Sequence, residues 1–125
     1  MEIAIIAHDG KKDEMLVFLN HYIEIFKQEH IQLIATGTTG KRAEEMGLKV
    51  HRYLSGPLGG DAQIAARVAE GKTNMVLFFR DPLNAHPHEP DIMMLMRQCD
   101  VHNVPLASNP ATAELLIQSI ALFGE

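Results

Sequence analysis

LKVHRYLSGPLGGDAQIAARVAEG, residues 48–71, is the stretch on which the fold turns. LKVHRY (48–53) reads as a short strand whose polar alternation places it at a sheet edge. DAQIAARVAEG (61–71) reads as a helix, with Asp61 near its start and Gly71 closing it. Between them, LSGPLGGD brings a serine, a proline and three glycines up to a single carboxylate. Glycine gives up the most backbone freedom on folding. Gly56, Gly59 and Gly60 therefore mark a place that needs bare backbone, as contact between main-chain N–H groups and a small anion would.

The same strand-then-helix unit recurs on both sides of this stretch. EIAIIA (2–7) is a buried strand, and residues 12–29 form a helix with Met15, Leu16, Leu19, Tyr22, Ile23 and Phe26 on one face. IQLIA (31–35) is the second strand, and KRAEEMG (41–47) a short helix closed by Gly47. NMVLFF (74–79) is the most apolar strand and is expected at the centre of the sheet. PDIMMLMRQCDVHN (90–103) is a helix with Pro90 in its first turn, VPLAS (104–108) the fifth strand, and 110–122 the last helix. This rhythm, with its short connections, predicts an α/β fold: one parallel sheet covered by helices on both faces. No repeat, low-complexity tract or linker interrupts it, so residues 1–125 are read as one domain.

The net charge of −5 gives no general attraction to nucleic acid or acidic membrane. An anion site must then be local, built from a few donors and one or two cations. The single cysteine, Cys99, allows no intramolecular disulfide and fits a reducing cytoplasm. The apolar run 2–7 is too short for a signal peptide or a membrane span.

In parallel α/β sheets, ligands bind beyond the carboxyl ends of the strands. The unusual residues fall there: AHDGKK after strand one, TGTTGK after two, LSGPLGGD after three, RDPLNAHPHEPD after four and SNPAT after five. TGTTG (36–40) opens a helix, where hydroxyls and free N–H groups make an anion site or simply a cap and turn. It lacks the GK[ST] ending of a nucleotide triphosphate loop, and the chain has no GxGxxG. Lys12 lies within reach and adds a cation. Asp61 is either a helix N-cap or a general base. Asp9, Asp81 and Asp91 are expected to crowd the same rim, where mutual repulsion raises at least one pKa. His8, His86 and His88 are compatible with a metal site or with a catalytic histidine. His21, His30, His51 and His102 read as surface or boundary residues. Met93, Met94, Leu95 and Met96 read as core and subunit contact rather than a cofactor box.

Taken together, AHDxxK, ATGTTG, LSGPLGGD, FFxDPL, PHxPD and VPLASN, in that order, resemble the methylglyoxal synthase family from Ile3 to Ser119. The resemblance implies a three-layer α/β/α fold with a five-stranded parallel sheet in the order 3-2-1-4-5. It implies a homohexamer with neither metal nor cofactor, a lyase converting dihydroxyacetone phosphate to methylglyoxal and inorganic phosphate. Phosphate is then product and candidate inhibitor. By resemblance, Lys12, Thr36, Thr38, Thr39, Ser55 and the backbone at Gly37 and Gly56 hold the substrate phosphate. Asp61 is the base, His88 stabilises the oxyanion of an ene-diolate, and His8 contacts substrate oxygens. Asp9, Asp81 and Asp91 orient histidines and tune their pKa values. A related fold serves as a regulatory domain in carbamoyl-phosphate synthetase, so the rival expectation is a sensor of a small phosphorylated ligand. Two departures stand out: Arg80 replaces an aromatic residue of some members, and the chain ends soon after its last helix.

Overall fold

Alternation along the first strand builds the whole architecture. In the computed structural model, which describes residues 1–123, β1 spans Glu2–Ala7 and is buried throughout. Ile3, Ile5 and Ala7 belong to one core cluster, while Ala4 and Ile6 belong to a second. Side chains alternate between faces with a period of two, so both faces of the sheet must be covered.

The other strands are β2 (Gln32–Ala35), β3 (Val50–Arg52), β4 (Met75–Phe79) and β5 (Leu106–Ala107). They form one sheet in the order β3-β2-β1-β4-β5, and every pairing is parallel. Helices α1 (Lys12–His21), α2 (Ile23–Phe26), α3 (Gly37–Glu45) and α6 (Pro110–Phe123) pack on one face. Helices α4 (Gly60–Ala69) and α5 (Glu89–Val101) pack on the other, burying Ile64, Val68, Ile92 and Leu95. The fold is therefore three-layer α/β/α. No helix among the described residues is long and apolar enough to cross a membrane.

Three expectations need correction. The central strand is β1, not 74–79, although β4 is interior and fully buried. The single helix over 12–29 breaks at Tyr22, whose backbone leaves the helical region. The break lets Phe18 and Phe26 enter one core with ring centroids 6.0 Å apart. The fifth strand is two residues long, because Pro105 has no N–H to donate and contributes only its carbonyl, to Val76 at 2.9 Å. The edge position of β3 is as expected. On α5, Leu95 is buried and Met96 packs against the core, whereas Met93 and Met94 are exposed. Gly124 and Glu125, at the short C-terminus, lie outside the described residues.

Candidate active site

The loops leaving the carboxyl ends of β1, β2, β3 and β4 close around a cleft of about 510 Å³. It lies where the strand order reverses, between β1 and β4. The His8 N–H donates to the Phe79 carbonyl at 3.1 Å, so these two strands stay joined beyond their ends.

His8 is buried, and its Nδ1 accepts the backbone N–H of Asp81 at 2.8 Å. A ring nitrogen that accepts carries no proton, so neutral His8 holds its proton on Nε2. That Nε2 is buried without a protein partner. Burial, then His86, His88 and Arg80, lowers the His8 pKa from 6.5 to about 4. His8 is thus a neutral donor on the cleft wall. Lys12, at the start of α1, donates to Asp9 Oδ1 at 2.6 Å and to the Ala7 carbonyl at 3.1 Å. That bond from Lys12 holds the Asp9 carboxyl below its ordinary pKa.

Thr36 precedes α3 in an extended conformation, yet its side chain makes no capping bond. The Gly37 N–H donates to the Leu54 carbonyl at 3.2 Å, which ties the TGTTG turn to LSGPLGGD. The N–H groups of Thr38 and Thr39 follow in the first helical turn, where no intrahelical acceptor exists. Thr36, Thr38, Thr39, Ser55 and Gly56 all line the cleft, and Thr39 Oγ1 is buried without a partner.

The three glycines of the loop have three different reasons. A Cβ on Gly56 would stand 2.9 Å from His88 Nε2 and 3.3 Å from Asp61 Oδ1. Gly59 has a φ of 109°, which favours glycine. Gly60 rests on the Leu54 carbonyl, where no Cβ fits. Gly59 and Gly60 therefore serve the turn into α4 rather than an anion, contrary to the reading of their spacing.

Asp61 is not the N-cap of α4; Gly59 is, and Asp61 is the second helical residue. It is 0% exposed, and neither carboxylate oxygen has a hydrogen-bond partner. Oδ2 stands 3.5 Å from His88 Nε2, longer than an ordinary hydrogen bond. Burial pushes the Asp61 pKa up, His88 opposes the rise and Asp91 adds to it. Asp81 accepts from Asn84 Nδ2 at 2.6 Å and from the Leu83 N–H at 3.2 Å, and its pKa is lowered, chiefly by Asn84. The four aspartates are thus not one repelling cluster. Asp9 and Asp81 have their own donors, and burial dominates at Asp61.

His88 precedes α5, and its carbonyl accepts the Asp91 N–H at 3.0 Å. The cleft lining holds His8, Asp9, Lys12, Asp61, Asp81 and His88, while Gly37 and Asp91 stand outside it. Among the described residues, no three His, Cys, Asp or Glu side chains are grouped to hold a metal ion. His21, His30, His51 and His102 are exposed.

The sequence reading missed one further arrangement. His86 lines the cleft and stacks on His8, with ring centroids 3.7 Å apart and planes 24° apart. The HxH spacing flagged His86 as a metal ligand or a catalytic histidine, not as a ring stacked on His8. It is also the backbone of Asp81, rather than its carboxylate, that orients His8.

The family model described as "MGS-like domain" matches residues 18–108. The chain is 57% identical over 121 residues to a protein named methylglyoxal synthase from Carboxydothermus hydrogenoformans, covering 96% of this chain and 98% of that one. It is 56% identical over 121 residues to a protein of the same name from an Exiguobacterium species, covering 96% and 87% respectively. The crystal structure of methylglyoxal synthase from Elizabethkingia anophelis superposes with a TM-score of 0.83 at 42% identity, covering 92% of this chain and 75% of that one.

Proposed function

This chain belongs to the methylglyoxal synthase family of lyases, and from that premise we propose that it converts dihydroxyacetone phosphate to methylglyoxal and inorganic phosphate, with Asp61 as the base. One observation carries the assignment of the base: a fully buried carboxylate with no hydrogen-bond partner, facing an imidazole across 3.5 Å. A buried carboxylate that nothing neutralises is a proton acceptor held in reserve.

The substrate phosphate sits against Lys12, Thr36, Thr38, Thr39, Ser55 and the backbone of Gly56, all of which line the cleft. The start of α3 adds N–H donors and the positive end of a helix dipole. Gly37 contributes by position, since its own N–H is engaged by Leu54. Asp61 takes a proton from the hydroxymethyl carbon next to the ketone. The electron pair left behind forms the C=C bond of an ene-diolate, and the carbonyl oxygen becomes an oxyanion. His88 and the Nε2–H of His8 donate to these oxygens, a preorganised electrostatic role. The terminal hydroxyl passes its proton to that oxyanion and its oxygen forms the aldehyde C=O, while the C=C pair shifts to the phosphate-bearing carbon and the C–O bond to phosphate breaks. The departing phosphate takes up the proton that Asp61 removed, and the enol moves its O–H proton to the terminal carbon to give methylglyoxal. Phosphate departs only when its C–O bond stands roughly perpendicular to the ene-diolate plane, so the two phosphate loops select the product by posture. Asp91 raises the basicity of Asp61, while Asp9 positions Lys12 and Asp81 positions His8.

Assembly as a homohexamer and a cytoplasmic location, which the single cysteine suits, are part of this proposal and rest on the family resemblance alone. Purified protein mixed with dihydroxyacetone phosphate should release methylglyoxal and phosphate in equal amounts. Phosphate binding without turnover would favour the ligand-sensing reading instead.

A further inference from the structure

His86 has no part in the reaction as written, yet it makes the closest ring contact in the cleft. Its ring lies nearly parallel on His8, with centroids 3.7 Å apart. The other neighbours of His8 include the Phe78 ring, packed edge-on at 5.1 Å, the His88 ring, edge-on at 6.0 Å, and the Asp81 amide on Nδ1. His86 Nε2 is buried without a partner, so no hydrogen bond at that nitrogen sets its ring. Its backbone N–H donates to Glu89 Oε2 at 3.3 Å, which ties this residue to the first turn of α5.

The geometry points to His86 as a positioning residue: its stacked ring keeps His8 in the neutral Nε2–H form that donates a hydrogen bond to substrate oxygen. This inference rests on the reaction proposed above. A proton on His8 Nδ1 would face the Asp81 N–H, donor against donor. With His86 covering one face of the ring, water cannot solvate the resulting cation from that side. The charged or titratable groups around the ring are His86 and His88 from the β4–α5 connection, Glu89 at the start of α5, and Arg80 just after β4. Asp9, Lys12, Asp61 and Asp81 share the cleft. Of these, His86, His88 and Arg80 disfavour the proton and Glu89 favours it. A neutral donor suits the chemistry, because an imidazolium in the same cleft would lower the basicity of Asp61.

The test compares the parent protein with His86→Ala and His86→Phe, the latter keeping a flat ring that cannot ionise. The first readout is the side-chain ¹⁵N signal of His8, assigned against His8→Gln, followed from pH 8 downward. The second is the pH profile of kcat and KM with dihydroxyacetone phosphate. In His86→Ala, His8 should protonate closer to its ordinary value, and the acid limb of kcat should move up by about one pH unit. KM at pH 8 should change little. His86→Phe should restore both the Nε2–H signal and the acid limb. Should His86→Ala fail to fold, His86→Ser leaves the same face of His8 open to water and carries the same expectation. Identical His8 titration in all variants would overturn the inference, because burial and the Asp81 amide would then suffice. The ¹⁵N readout decides this even if no methylglyoxal forms, an outcome that would sink the proposed reaction instead.

Discussion

Glu2 and Asp61 are both buried carboxylates, and helix α4 serves both: Asp61 sits in its first turn, and Arg67 of its last turn reaches Glu2. Glu2 is saturated. It accepts from Arg67 on both oxygens and from the Thr73 hydroxyl at 2.7 Å, and its own N–H donates to Asn74 at 2.8 Å. Asp61 has no donor at all. The two ends of the sheet thus follow opposite rules. At the amino ends of the strands, every bond on a buried charge holds the fold together. At the carboxyl ends, Asp61, Thr39, His8, His86 and His88 each keep a buried polar atom unpartnered. Such atoms cost stability wherever they occur, so their concentration around one cleft marks the end that does chemistry.

The comparison breaks most decisively at Asp61. Asp61→Asn should lower kcat by roughly 10²–10⁴-fold or more while leaving the fold and phosphate binding intact. It should also raise thermal stability at neutral pH. The sign follows from linkage: a carboxyl whose folded pKa is raised binds its proton more tightly when folded, so stability is lost as pH rises above the unfolded value of 3.8. Ordinary turnover in this variant would remove Asp61 from the role of base. Gly56→Ala comes next. Its Cβ would push against His88 and Asp61, so kcat should fall by roughly 10–10²-fold with little change in melting temperature. A large loss of stability with normal kcat would mean that the loop is only a turn.

Glu2→Gln should do the reverse. It weakens the bonds to Arg67 and Thr73 and should cost about 1–3 kcal/mol in denaturant unfolding, with kcat per folded molecule unchanged. A loss of kcat without a loss of stability would erase the distinction between the two ends. The smallest effect concerns acid. His8 has a folded pKa lowered to about 4 from 6.5, so it contributes stability above pH 6.5 that is lost as pH falls towards 4. His8→Asn should flatten the dependence of melting temperature on pH across that window. An unchanged slope would mean that His8 titrates no differently in the folded protein.

The β-α rhythm was legible because each strand is short, apolar and followed by a helical period. The candidate site was legible because the odd residues fall after consecutive strands. Less could be read where the cause is tertiary. The break at Tyr22 serves two phenylalanines that meet in the core. The rank of β1 over β4 at the centre depends on strand order, not on apolarity. Gly60 looked like a ligand glycine because nothing local reveals the Leu54 carbonyl pressed against it. The cap reading of Asp61 stayed open in the sequence because nothing local shows that Gly59, in a left-handed conformation, caps α4 two residues earlier. The stack of His86 on His8 joins residues from opposite halves of the chain, so no spacing within either motif records it.

Cys99 lies on α5 at 0% exposure, and burial pushes its thiol up to about 11. Methylglyoxal is an electrophile, an α-oxoaldehyde that condenses with thiolates and free amines. The only thiol in the chain is therefore both out of reach and protonated at neutral pH. Lys12, the lysine of the cleft, is occupied by the Asp9 carboxylate and the Ala7 carbonyl. The helix thiol and the cleft lysine are thus each screened from the electrophile as it forms.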